Sequence, residues 1–140
     1  MLSKPPQIFV IEDDDVDFRL LVHAFHTQKL INPVVRAKDG EDAIDMLSNI
    51  AKNGPFIILL DLNMPRMNGH EFLHELRKHP KYAKTVVFVL TTSADRDDIE
   101  ESFDHHVAGY FLKDDAGESI NQVVDVINGY WQIVLLPEVK

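Results

Sequence analysis

Cysteine is absent from this 140-residue chain. That excludes disulfides and thiolate metal sites and is compatible with a reducing compartment. Long apolar runs are also missing: no window approaches the roughly 18 to 20 residues of a membrane span. The opening, MLSKPPQIFVIEDD, carries only the short apolar run IFVI before Glu12, too little for a secretory signal. The expected location is therefore the cytoplasm, with no membrane partner. Basic residues are outnumbered, 14 against 23 acidic ones, for a formal charge of −9. A nucleic-acid partner needs clustered Lys and Arg, so none is expected. Neither a dinucleotide fingerprint nor a Walker loop occurs. No internal repeat, low-complexity tract or linker is visible, and the length suits one domain with a substantial core.

What is present is alternation. QIFVI (7–11), PVVRA (33–37), FIILL (56–60), TVVFVL (85–90) and GYFLK (109–113) read as strands. Between and after them, 18–25, 40–50, 70–78, 95–103 and 118–136 carry apolar residues at helical spacing or, for 95–103, a polar helical composition. Strands that are continuously apolar imply a parallel sheet covered on both faces. Alternation with helices gives a doubly wound α/β fold.

In such a sheet, ligands bind beyond the carboxyl ends of the strands. Glu12, Asp13 and Asp14 follow the first strand, Asp61 the third, Thr91, Thr92 and Ser93 the fourth, and Lys113 and Asp114 the fifth. On one edge, these carboxylates repel: two unit charges 4 Å apart cost about 4 kcal/mol at an effective dielectric near 20. A proton or a cation relieves that cost. An all-oxygen set suits a hard ion such as Mg²⁺, which shares its shell with phosphate oxygens, so the edge suits phosphoryl transfer. Each piece has a plainer reading. One of the aspartates after the first strand can serve simply as a helix cap, DLNMPRMNG can be only a strand end and turn, and Lys113 can be a solvated strand end. Thr92 reads as a strand former. The recurrence of polar groups at four strand ends favours a site. Asp13, Asp15 and Asp17 imitate a calcium loop, but Phe18 and Ala24 stand where that loop needs Gly and Glu. The pairs His23–His26 and His105–His106 read as surface histidines.

FVIEDD, ILLDLNMPRMNG, VLTTS and GYFLK, one motif per strand and in order, resemble those of response-regulator receiver domains. The resemblance covers about residues 7–128. It implies a flavodoxin-like receiver fold of five parallel strands and five helices, and the apolar residues through 136 add an extension of the last helix. It implies Asp61 as phosphoacceptor, and Mg²⁺ held by Glu12, Asp13, Asp61 and the Asn63 carbonyl. Thr91 and Lys113 would contact the phosphoryl group, and Tyr110 would be the aromatic switch residue. The partner it implies is a sensor histidine kinase, with signalling through contacts to an unknown downstream protein rather than turnover of a substrate. The sequence departs from the family pattern in having Glu12 for the usual Asp, Thr92 for a smaller residue, and Asp114 for the Pro that usually follows the lysine. The loop after Lys113 is therefore expected to take its own path, without a cis bond.

Residues 1–128 are assigned to the receiver and 129–140 to a C-terminal extension. Ile120, Val123, Val124, Ile127, Trp131, Val134 and Leu135 form one stripe, expected to pack on the sheet. Val126, Tyr130, Ile133 and Leu136 form a second. Two apolar faces on one terminal helix predict a homodimer through Val126, Tyr130, Trp131, Ile133, Val134 and Leu136. The ending GYWQIVLLP, with Glu12, is similar to that of regulators that partner bacterial phytochromes. Two other readings stay open: a receiver-like binding module that is not phosphorylated, and a Mg²⁺-dependent phosphohydrolase.

Overall fold

The computed structural model describes residues 5–114 and 117–137. Five strands, β1 (Gln7–Ile11), β2 (Val34–Ala37), β3 (Phe56–Leu60), β4 (Val87–Thr91) and β5 (Gly109–Leu112), form one parallel sheet in the order β2-β1-β3-β4-β5. Five helices alternate with them: α1 (Asp15–Thr27), α2 (Gly40–Lys52), α3 (Gly69–Lys78), α4 (Arg96–Asp104) and α5 (Glu118–Ile133). Every residue of β1, β3 and β4 is buried, as strands covered on both faces must be. Their side chains alternate between two cores. Phe9, Ile11, Ile58 and Leu60 meet Leu47 of α2 and Phe72, Leu73 and Leu76 of α3. Ile8, Val10, Ile57 and Leu59 meet Leu21 and Phe25 of α1 and Ile120, Val123 and Ile127 of α5. Among the described residues no helix is long and apolar enough to cross a membrane.

The helix starts are encoded locally. Asp14, Asp39, Asn68 and Asp95 each accept a backbone N–H from the first turn of α1, α2, α3 and α4. Glu71 completes a capping box with Asn68. The cap of α1 is thus Asp14 alone, which leaves Glu12 and Asp13 for other work.

Two boundaries differ from the sequence expectation in ways that matter. β4 runs to Thr91, so Thr91 is the last residue of the strand rather than the first beyond it. The last helix stops at Ile133, not at 136. Val134 is extended (φ −112°, ψ 135°), and the chain leaves the helical path there. The two predicted stripes are re-sorted as a result. Leu135, assigned to the packed stripe, is 98 % exposed. Tyr130 and Leu136, assigned to the other, pack against the α1–α5 core, as does Trp131. The Tyr130 ring stands edge-on to Phe88 at 5.3 Å. Val126, Ile133 and Val134 are exposed, and Gly129 lies within continuous helix. No cis peptide occurs among the described residues. The expected change of path after Lys113 falls at residues 115–116, outside the described residues.

Candidate phosphotransfer site

Backbone hydrogen bonds carry the sheet one residue beyond its strands. Glu12 N–H donates to Ala37 O, Asp61 N–H to Ile11 O, and Lys113 N–H to Thr91 O. This extension fixes Glu12, Asp61 and Lys113 side by side on the carboxyl edge. Glu12, Asp13 and Asp61 each bring a carboxylate oxygen into a cluster no more than 4.8 Å across. Glu12 and Asp61 are buried, whereas Asp13 is exposed on the open side. The donor set is all oxygen, spans buried and open positions, and would accommodate a hard divalent cation. An open cleft of about 460 Å³, lined in part by Asp13, Asn63, Pro65, His70 and Asp98, adjoins it.

Lys113 is the counter-charge. Its Nζ donates to Glu12 Oε1 at 2.7 Å, Asp17 Oδ2 at 2.8 Å and Asp61 Oδ2 at 3.4 Å. Those three carboxylates hold the ammonium pKa well above its ordinary value against the opposing effect of burial. Burial, and then the nearby Asp61 charge, push Glu12 from 4.5 up to about 8 despite the contact with Lys113. The edge therefore holds more negative charge than one lysine offsets.

Asp17 is the member of this group that the sequence reading overlooked, having considered it only as part of a rejected calcium pattern. It lies in the first turn of α1, two residues beyond the end of the acidic run. The available signal was helical geometry: a residue in the first turn of a helix that follows a strand end faces back toward that edge.

Thr91 is fully buried. Its Oγ1 lies 3.5 Å from the Asn63 side-chain amide nitrogen and from the Ser93 N–H. Asn63 also donates its backbone N–H to Asp61 Oδ1 at 3.3 Å. Thr92 is exposed. Tyr110 is half-buried, and its hydroxyl donates to the Ser93 carbonyl at 2.7 Å, which ties the β5 aromatic to the loop between β4 and α4. Ser93 Oγ donates to Asp98 Oδ2 at 2.5 Å, and Asp98 Oδ1 lies 2.9 Å from His70 Nε2.

The loop after Asp61 is held by contacts that the motif only hints at. Gly69 donates its N–H to Leu62 O. A Cβ at Gly69 would lie 2.7 Å from Leu62 Cα and 2.8 Å from Asp61 O, so the glycine is required by close backbone approach. Arg66, with a left-handed backbone (φ 62°), donates Nε to Asp39 Oδ2 at 2.7 Å. On the other side, Arg36 donates to Glu12 O at 2.9 Å and to Asp15 Oδ1 at 2.7 Å, bracing the acidic loop.

Comparison with known proteins agrees with this geometry. The family model described as response regulator receiver domain matches residues 8–125. Response regulator Rcp1 of Synechocystis sp. is 33 % identical over 141 aligned positions, covering 96 % of each chain. Among solved structures, the phosphorylated cyanobacterial phytochrome response regulator RcpA superposes with a TM-score of 0.85 at 34 % identity, covering 96 % of this chain and 100 % of its own. The Mn²⁺-bound form of Rcp1 gives 0.81 at 33 % identity, covering 95 % and 99 %.

Proposed function

This chain belongs to the response regulator receiver family of two-component signalling, and on that premise we propose that Asp61 accepts a phosphoryl group from a sensor histidine kinase. The observation that carries this reading is the convergence of Asp61 with Glu12 and Asp13 inside 4.8 Å, beside the Lys113 ammonium. In the transfer, an Asp61 carboxylate oxygen attacks phosphorus in line. The new P–O bond forms as the P–N bond to the donor imidazole breaks, and the imidazole leaves with the bonding electron pair. Mg²⁺, held by Glu12, Asp13, Asp61 and the Asn63 carbonyl, would supply charge neutralisation at the phosphoryl oxygens. Lys113 offsets part of the charge from the protein side. The product places roughly −1.5 to −2 charges where Asp61 had −1. Lys113 then redistributes away from Glu12 and Asp17 toward the phosphate, and the Thr91 hydroxyl donates to a phosphoryl oxygen. A shift of Thr91 and the Ser93 loop removes the acceptor of the Tyr110 hydroxyl and frees that ring to turn.

The similarity to Rcp1 and RcpA supports a phytochrome-type kinase as the phosphodonor. The apolar residues left exposed around the end of α5, Val126, Ile133, Val134 and Leu135, support a homodimer contact there, with 129–140 as its extension. Tyr130, Trp131 and Leu136 contribute by supporting that end from within.

Intact-protein mass after incubation with a small phosphodonor tests the central step. One added phosphoryl group, dependent on Mg²⁺ and lost in Asp61→Asn, is the expected result. An adduct that survives Asp61→Asn, or none under any condition, would favour the unphosphorylated binding module instead.

A further inference from the structure

Resting on the reading of Asp61 as phosphoacceptor, we propose that Asp17 is a positioning residue for the transfer. It holds the Lys113 ammonium short of Asp61 and is the partner that Lys113 exchanges for the phosphoryl group. Lys113 Nζ has three N–H donors, and three carboxyl groups take them: Glu12 at 2.7 Å, Asp17 at 2.8 Å and Asp61 at 3.4 Å. No donor is left over for an incoming phosphoryl oxygen. One contact must be given up outright, and burial decides which. The Glu12 side chain is 3 % exposed and that of Asp17 30 %. A buried carboxyl stripped of its partner is costly in either protonation state, so the contact with Glu12 loosens but persists. Asp17 stands at the edge of the site and can turn to water instead.

The local structure makes Asp17 a fixed counter-charge rather than a loose surface group. Its N–H donates to Asp14 Oδ1 at 2.9 Å, so the cap of α1 sets the backbone of the residue that reaches the lysine. Asp14 N–H in turn donates to Glu12 Oε2 at 3.2 Å. Arg36 pins the same turn from β2: it donates to Asp15 Oδ1 at 2.7 Å, and its guanidinium lies 4.7 Å from the centre of the Phe18 ring. The carboxylates gathered for a cation are those of Glu12, Asp13 and Asp61. Asp17 therefore offers charge to the lysine without serving as one of the proposed Mg²⁺ ligands. The consequence is a brake. In the unphosphorylated chain Asp17 draws the ammonium away from Asp61 and adds negative charge against an anionic donor. As the phosphoryl group arrives, Lys113 exchanges Asp17 for a phosphoryl oxygen, and the first turn of α1 loses its tie to the end of β5.

Phosphorylation of the full chain by acetyl phosphate at saturating Mg²⁺ tests the assignment. Asp17→Asn keeps the side-chain shape and removes the charge. Its initial rate should rise about three- to tenfold, while the unphosphorylated chain becomes slightly less stable to urea. A residue that merely supported the fold would lower both. Asp17→Glu restores the charge on a longer arm and should bring the rate back toward that of the wild type. In the wild type itself, the carboxyl carbon resonance of Asp17 should shift on phosphorylation as the ammonium leaves. A rate unchanged or lowered in Asp17→Asn, or a resonance that stays in place, would overturn the role of Asp17 and leave Asp61 as phosphoacceptor. No adduct on the wild type would overturn both readings together.

Discussion

Lys113 and Glu12 are joined by a 2.7 Å hydrogen bond between Nζ and Oε1, shorter than the 3.4 Å contact between Lys113 and Asp61. The lysine is thus held chiefly by carboxylates other than the one proposed to react. Charge added to Asp61 competes with Glu12 and Asp17 for the same ammonium.

Replacing Lys113 by methionine should expose this dependence. Both Lys113 and Asp61 are under a tenth exposed at the side chain, and breaking a buried ion pair by removing one partner costs about 3–5 kcal/mol. We expect a large loss of stability in chelator, partly restored by Mg²⁺, and slower phosphorylation. Urea unfolding with and without Mg²⁺ measures it. A midpoint unchanged in chelator would mean that the ion pair contributes little.

Stability should fall as pH rises through the range set by Glu12. Its carboxyl goes from 4.5 to about 8 on folding. Between those values the folded chain holds a proton that the unfolded chain has lost, so the slope of stability against pH is negative there. The contribution is intact below about 4.5 and gone above about 8. Glu12→Gln should flatten the decline, and Mg²⁺, which binds the ionised form, should oppose it. Denaturation midpoints across that window in chelator would show a level profile if Glu12 ionises as freely folded as unfolded.

Gly69→Ala should damage the site without touching a polar group. The added methyl meets the Leu62 and Asp61 backbone at 2.7–2.8 Å, and backbone has nowhere to yield cheaply. Overpacking of this kind costs about 1–3 kcal/mol. Because the displaced atoms belong to Asp61 and its neighbour, the phosphorylation rate should fall more than stability alone explains. Initial rates measured well below the melting temperature separate the two effects.

Changing both Ile133 and Leu135 to lysine should turn the proposed dimer into monomers. These side chains are 85 % and 98 % exposed, so their replacement leaves the core untouched, unlike truncation before Tyr130, which would remove packing against Phe88. Sedimentation equilibrium of the two chains provides the comparison. The same mass for both would rule out an interface at these positions.

The alternation of elements and the identity of the edge are both legible in the residue pattern. Continuous apolar strands separated by helical spacing leave a parallel sheet as the economical way to bury them, and a parallel sheet puts every post-strand residue on one side. Glu12, Asp13, Asp61 and Lys113 could be grouped for that reason, without any distance being known. Which of them touch depends on how the helices pack on the sheet. Asp17 reaches Lys113 across 96 positions of sequence because α1 packs at one particular angle on the sheet. Arg66 meets Asp39 because two loops from different strands lie together. The fate of Leu135 and Leu136 turned on where α5 stops, since one residue of helix rotates a side chain by about 100°. Local periodicity is written in neighbouring residues, whereas contacts between polar side chains distant in sequence depend on the rigid-body placement of whole elements, which only the packed core fixes.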